Sequence, residues 1–224
     1  MQGVFAFRTW GGKRKNAGRK RVAERRRVAH RTRGRLDGRT PVHVTLRVRP
    51  EVARLRRRDQ YRAIKQAFAR TAHKADFRIC HYSVQSNHLH LICEPRDVNA
   101  MTRGIIGFKA SCARRLNALV GRKGGVFEDR YHARYLTSPI EVRRALCYVL
   151  NNWRRHREDW RWRRATDPFS SAECFDGWAD RRDRPPHRSE AGVVPVAAAT
   201  FWLLTTGWRH HGPIGCHEVP GGAS

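Results

Sequence analysis

Residues 77–95 read FRICHYSVQSNHLHLICEP, and this stretch decides the fold. Residues 77–84 place apolar side chains at the spacing of a β-strand. Residues 88–93 form a second, compact apolar run that Glu94-Pro95 closes. Because Ser86-Asn87 separates the two runs with turn-forming residues, the stretch predicts two short strands joined as a hairpin.

The sequence on both sides of this hairpin continues with alternating strand and helix patterns. Ser138-Pro139-Ile140-Glu141 has the layout of a capping box with Pro at the first helical position. Strands that follow one another closely, mixed with helices, predict an α+β fold: an antiparallel sheet with helices on one face. The remaining predicted elements are a strand over 42–48, helices over 51–71 and 101–119, a strand over 126–136 and a helix over 139–153.

The charge of the chain indicates the class of its partner. Lys and Arg number 47 against 19 Asp and Glu among 224 residues, which gives a formal net charge of +28. Such a field excludes an acidic substrate channel and favours a polyanion, most commonly nucleic acid. An arginine-rich genome would explain the choice of Arg over Lys, but it would not explain the deficit of acidic residues. A hydrophobic fraction of 40% is enough for a core.

Composition divides the chain into three parts. Residues 1–39 are a basic arm with few apolar residues, expected to be flexible and to contact DNA, or else only to aid solubility. Residues 40–157 carry the regular strand and helix patterns and are expected to form the central folded domain, where a catalytic site would lie. Residues 158–224 are rich in Trp and form an extension that packs on the core or contacts DNA.

The cysteines and the apolar stretches indicate the compartment. Six scattered cysteines without close pairs favour small buried side chains in a reducing cytosol. No targeting signal or membrane-spanning stretch is expected. The expected location is cytoplasmic, in association with the nucleoid.

His88 and His90 are the first candidates for chemistry. Side chains two residues apart on a strand point to the same face, roughly 7 Å apart along it. Two imidazoles on one face chelate a divalent ion when a third ligand arrives from elsewhere. The alternative is a pair of partly exposed strand histidines with no ligand.

Tyr148 and Asn152 supply a candidate nucleophile and a candidate third ligand. At i and i+4 on the capped helix they lie on one face, at the edge of its apolar stripe. A Tyr beside a metal-bound phosphate acts as a nucleophile, and an Asn amide oxygen suits Mg²⁺ or Mn²⁺. The alternative is a Tyr that only fills the boundary between helix and sheet.

Several segments together resemble the single-tyrosine HUH transposases, and most closely the REP-associated tyrosine transposases and their insertion-sequence relatives. The likeness covers nearly the whole chain. The segments are 86–92, 145–152, the Arg130-Tyr131-His132-Ala133-Arg134 run, 167–171, 175–178 and the arm 11–21.

The resemblance implies a ferredoxin-like HUH fold that cleaves and rejoins single-stranded DNA next to a hairpin, with a homodimer in some relatives. It assigns His88 and His90 as the metal ligands. It assigns Tyr148 as the nucleophile that forms a 5′-phosphotyrosine link. Asn152 becomes the third ligand, where relatives often have Gln. Rejoining needs no nucleotide cofactor, and no GxxxxGK[ST] motif occurs.

Basic and aromatic side chains are expected to bind the DNA. Arginines and lysines would contact phosphates, and tryptophans would stack on unpaired bases or else pack in the core. His132 is a candidate base for the Tyr148 hydroxyl. The candidate DNA-binding residues are Lys13, Arg14, Arg19, Lys20, Arg21, Arg130, Arg134, Trp160 and Trp162.

Three other functions remain open at this point. The first is a domesticated relative that binds hairpin DNA without cutting it. The second is an HUH nickase of the replication-initiator or relaxase type, although these often carry two tyrosines or a third histidine near the pair. The third is an RNA-binding protein such as a ribosomal protein, which would explain the charge but not the chemical residues.

Overall fold

The computed structural model describes residues 36–128, 130–161, 164–179 and 195–221. Their strands are β1 (Val42–Arg47), β2 (His73–Lys74), β3 (Phe77–Val84), β4 (His88–Pro95) and β5 (His132–Tyr135). Their α-helices are α1 (Arg58–Thr71), α2 (Val98–Leu119), α3 (Pro139–Leu150), α4 (Asn152–Arg155) and α5 (Trp202–Thr205).

The five strands form one antiparallel sheet in the order β2-β3-β4-β1-β5. The predicted hairpin is its centre, with Val84 opposite Leu89 and Ser83 opposite His90. Strand β1, which is far from β5 in sequence, pairs with both β4 and β5. The structure therefore confirms the predicted α+β class with an antiparallel sheet.

One face of the sheet is apolar and lies under α1 and α2. Leu89 and Leu91 of β4 belong to the same buried cluster as Phe68 of α1 and Phe108 of α2. At Gly104 the helix α2 approaches β3 so closely that a Cβ would lie 2.2 Å from the ring of Phe77. Only glycine fits this crossing, so a larger residue would push α2 off the sheet.

The helix α3 lies over the opposite face, so helices cover both faces and not one as predicted. Its buried residues Val142, Leu146 and Val149 share a cluster with Cys80 of β3 and Ile92 of β4. The strands of this face alternate these apolar side chains with histidines. That mixture makes the face look solvated in the sequence, although α3 covers part of it.

Two predicted boundaries are wrong for local reasons. The first helix begins at Arg58 and not at residue 51, because Pro50–Val52 forms a separate 3-10 turn and Arg54 has a φ of 80°. The last strand covers only His132–Tyr135 and not 126–136. Upstream of it, Phe127 makes a single isolated bridge to Val48, which does not continue into a ladder.

Residues 164–179 pair with the outer edge of the hairpin. The amide of Val84 donates to the carbonyl of Phe169, and the amide of Ser171 donates to the carbonyl of Tyr82, each at 2.9 Å. Asp167 is buried and accepts two hydrogen bonds from the guanidinium of Arg56, at 2.8 and 3.0 Å. These contacts cover a strand edge that would otherwise be open to pairing with other chains.

Buried tryptophans join the later segments to α3. Trp178 and Trp208 lie in the same cluster as Val142 and Leu146 of that helix. Of the predicted basic arm, only residues 36–39 are among those described, so the division into three parts stays a prediction.

Five of the six cysteines are buried, and all are free, which confirms their prediction as small buried side chains. Within the described residues no helix has the length and apolar character needed to cross a membrane.

His81 makes the stability of the fold dependent on pH. Burial lowers its pKa from 6.5 to about 4, and its Nδ1 has no hydrogen-bond partner among the residues that the structure describes. The unfolded chain therefore takes up a proton below pH 6.5 while the native state does not. Stability falls as pH drops from 6.5 towards 4.

We expect the change His81→Phe to remove this effect, since the new ring keeps the edge contact with Phe175. Between pH 7 and pH 5 the pKa shift of His81 lowers the free energy of unfolding of the parent by about 2 kcal/mol. Partial exposure of the ring reduces this loss to about 1 kcal/mol. Urea unfolding at both pH values measures the difference, with His73→Phe as the control for an exposed imidazole. Equal pH dependence in the parent and the His81 variant would contradict the prediction.

Candidate active site

The structure brings His88, His90 and Tyr148 together. The two histidines share the face of β4 that α3 covers, and their Nε2 atoms lie 3.0 Å apart. The ring of Tyr148, from the last turn of α3, meets the ring of His90 edge-on, with centroids 5.1 Å apart. Three predicted site residues from two separate elements therefore form one cluster.

The neighbour of His88 determines which of its ring nitrogens carries the proton. Its Nδ1 lies 2.7 Å from the side-chain oxygen of Asn87. An amide oxygen only accepts, so Nδ1–H is the donor of this hydrogen bond. The lone pair of the neutral ring then lies on Nε2, which faces His90.

His90 is held from the neighbouring strand β1. Its Nδ1 lies 3.1 Å from Nε2 of His43 and 3.2 Å from the hydroxyl oxygen of Thr45, its register partner. With Nδ1 facing these two groups, the Nε2 atom faces His88. Such a partner on the far nitrogen is what orients a metal-ligating imidazole.

Both histidines are neutral near pH 7. Burial lowers the pKa of His88 to about 4 and that of His90 to about 2. Protonation of His88 is further disfavoured by the nearby His156 ring and the Arg47 guanidinium, and protonation of His90 by the nearby rings of His43, His88 and His156. A neutral imidazole is the form that binds a metal ion.

The histidine pair fits a divalent ion. Adjacent ligands in an octahedral shell, each about 2.1 Å from Mg²⁺, lie about 3.0 Å apart. The two Nε2 atoms have this separation. No group of three His, Cys, Asp or Glu side chains suited to a metal occurs in the described part of the chain. A further protein ligand would therefore be an amide or a hydroxyl.

Asn152 is the predicted source of that ligand. Its side chain is fully buried, and neither its Oδ1 nor its Nδ2 has a hydrogen-bond partner within the described residues. A buried amide without partners is costly, so an unfilled Oδ1 is consistent with a role as a ligand. That role stays a prediction.

The prediction of one continuous helix through Tyr148 and Asn152 is wrong. The helix α3 ends at Leu150, and Asn151 leaves the helical conformation with φ −107° and ψ 12°. The side-chain nitrogen of Asn151 donates to the carbonyls of Gly215 and Glu218, at 3.0 and 2.9 Å. These bonds to a distant segment end the helix, and Asn152 begins α4.

Sequence reasoning missed two further imidazoles in this cluster. His43 lies 5.2 Å from the ring of His90 and 5.8 Å from that of Tyr148, while His156 lies 6.2 Å from His88. The alternation in β1 places His43 on the face opposite its valines, which was a usable signal. Nothing in the pattern around His156 distinguishes it.

The other predicted site residues lie apart from the cluster. His132 is exposed on β5 opposite Thr45, and within the described residues no hydrogen bond or ring contact joins it to Tyr148. Arg130 and Arg134 are exposed, and Arg134 pairs with Glu141 at 3.2 Å. Trp160 is 76% exposed, so it does not pack in the core. Lys13, Arg14, Arg19, Lys20, Arg21 and Trp162 lie outside the described residues.

An antiparallel α+β sheet with a His-x-His pair and a helix-borne tyrosine is the arrangement expected of the HUH enzymes that the sequence resembles. The family model of IS200-like transposases matches residues 39–152, about half of the chain. The chain therefore belongs to the IS200-like transposase family. The matched region contains His88, His90 and Tyr148 and ends at Asn152.

A solved structure supports the fold independently. The chain is similar to a REP-associated tyrosine transposase bound to a REP hairpin, with a TM-score of 0.51 and 15% sequence identity. The similarity covers 78% of this chain and 93% of the other. Among curated proteins no significant match is found.

Proposed function

We propose that this transposase cleaves and rejoins single-stranded DNA next to a hairpin through a covalent bond between Tyr148 and DNA. The observation that supports it is the contact of the Tyr148 ring with His90, whose own ring faces His88. The Tyr148 ring lies 5.1 Å from His90, and His90 faces His88 through Nε2 atoms 3.0 Å apart.

Tyr148 is the nucleophile in this proposal. Its phenolic oxygen attacks the scissile phosphorus, and the bond from phosphorus to the 3′ oxygen breaks. The products are a 5′-phosphotyrosine link and a free 3′-hydroxyl, since the proton that the phenol gives to a base or to water is balanced by one that the leaving 3′ oxygen takes up. A 3′-hydroxyl that attacks the link restores the DNA backbone and the phenol, so the exchange needs no ATP.

His88, His90 and Asn152 would hold Mg²⁺ or Mn²⁺. A bound ion supplies charge neutralisation for the phosphoryl oxygens and orients the phosphate. The role of the protein is to hold the ligand side chains in a fixed orientation. Asn87 fixes His88 with its lone pair on Nε2, and the β1 side chains orient the His90 ring so that its Nε2 faces that of His88.

The positive charge of the chain supports hairpin DNA as the substrate. A formal charge of +28 gives strong, salt-dependent attraction to phosphates. The indole of Trp160 is 76% exposed, and we propose that it stacks on an unpaired base of the DNA. The similar solved structure has a REP hairpin bound, and we propose the same class of ligand here.

A covalent adduct tests this proposal. The protein is incubated with labelled single-stranded oligonucleotides that carry varied hairpins, with Mg²⁺ or Mn²⁺, and then separated on a denaturing gel. We expect a labelled band at the mass of the protein plus one DNA fragment. Hairpin binding without an adduct, with either ion, would reject strand transfer in favour of a protein that only binds hairpins.

A further inference from the structure

A cavity of about 400 Å³ lies beside Tyr148, and the catalytic proposal does not use it. Tyr148, His43 and the apolar side chains of Leu136 and Ala145 contribute to its lining. Gly221, near the end of the Trp-rich extension, also lines the cavity. The cavity is within the range of sizes that hold small organic ligands.

Three arginines line the cavity, and two of them are neutralised. Arg134 pairs with Glu141 at 3.2 Å. Arg143 pairs with Glu218 through two contacts of 2.9 and 3.0 Å, and it also donates to two backbone carbonyls. These pairs form walls of the cavity and leave no net charge for a ligand.

Arg144 is the third arginine, and its charge is not compensated. It is exposed on α3, and in the part of the chain that the structure describes it has neither a hydrogen-bond partner nor an ion-pair partner. A free guanidinium beside a cavity whose lining also includes a phenol, an imidazole and apolar side chains is suited to a ligand with one anionic and one flat apolar part.

On the basis of the proposed strand transfer, we propose that this cavity binds the base of one unpaired nucleotide adjacent to the phosphate that Tyr148 attacks. The base lies against Leu136 and Ala145, and Arg144 contacts the phosphate of that nucleotide. Because Tyr148 borders both the cavity and the histidine pair, a base held in the cavity would position the neighbouring phosphate at the phenol.

Mononucleotide binding tests the proposal without requiring cleavage. The probes are the four deoxynucleoside 5′-monophosphates and deoxyribose 5-phosphate, in about 0.15 M salt with EDTA, which removes divalent ions from the histidines. Binding is followed by NMR chemical shifts of the full chain. We expect at least one nucleotide to bind about tenfold more tightly than the sugar phosphate.

Two variants locate the site. Gly221→Phe places a ring at the cavity where an added Cβ meets nothing within 4 Å, so we expect normal folding and about tenfold weaker nucleotide binding. Arg144→Gln should weaken binding about fivefold. Arg114→Gln, at an exposed arginine of α2, is the matched control and should bind as the parent does.

Three results would overturn the proposal: no nucleotide binding, equal affinity for deoxyribose 5-phosphate, or unchanged affinity in Gly221→Phe. Equal affinity would indicate a site for anions alone. The outcome is separable from that of the adduct assay. An adduct without nucleotide binding would reject only the cavity, whereas nucleotide binding without an adduct would reject only strand transfer.

Discussion

The change Tyr148→Phe should abolish the covalent DNA adduct and lower strand cleavage by at least about 10⁴-fold. The variant keeps the ring that contacts His43 and His90 and loses only the hydroxyl oxygen that bonds to phosphorus. Hairpin binding should therefore stay within about twofold of the parent, since phosphate contacts by basic side chains provide the affinity. Denaturing gels measure the adduct, and gel-shift titrations measure binding.

Tyr135→Phe is the matched control for this experiment. Tyr135 lies on β5 and pairs with Val42, outside the cluster of imidazoles. Its variant should form the adduct at the parent's rate. If the Tyr148 variant formed the adduct and the Tyr135 variant did not, the nucleophile in our proposal would be wrong.

The change His90→Ala should lower cleavage by about 10³-fold or more at any concentration of Mg²⁺ or Mn²⁺. It removes the Nε2 atom that faces His88, and EDTA should impose a similar loss on the parent protein. Cleavage rates measured across a metal titration, together with hairpin affinity, separate this effect from weaker DNA binding.

His73→Ala, at an exposed position on β2, controls for the loss of an imidazole far from α3. Circular dichroism establishes that the His90 variant, which lacks a buried side chain, is folded. Parent-like cleavage by folded His90→Ala, or full cleavage by the parent in EDTA, would reject the metal-dependent mechanism.

The parts of the fold that depend on local patterns could be predicted. The hairpin of residues 77–95 follows from two apolar runs and one polar turn, and the structure has both strands. Ser138 caps α3 as predicted, since its hydroxyl accepts from the amide of Glu141. The prediction that His88 and His90 lie on one face of the sheet required only the two-residue period of a strand.

The parts that depend on distant contacts could not be predicted. The end of α3 is determined by carbonyls of Gly215 and Glu218, which no pattern near Asn151 reveals. His43 reaches His90 because β1 pairs with β4, a choice among strands that the spacing within β1 does not specify. Whether helices cover one face of the sheet or both likewise depends on where α3 packs.

The hydrogen bonds from Asn151 to residues 215 and 218 have a practical consequence for anyone who divides this protein. The family region ends at residue 152, so an excised fragment based on it would lack the partners of Asn151. It would also lack both Arg154 and the carbonyl of Cys216 that accepts from it. The end of the family region and the end of the packed fold thus differ, and a fragment that keeps the partners of Asn151 has to extend at least through Glu218.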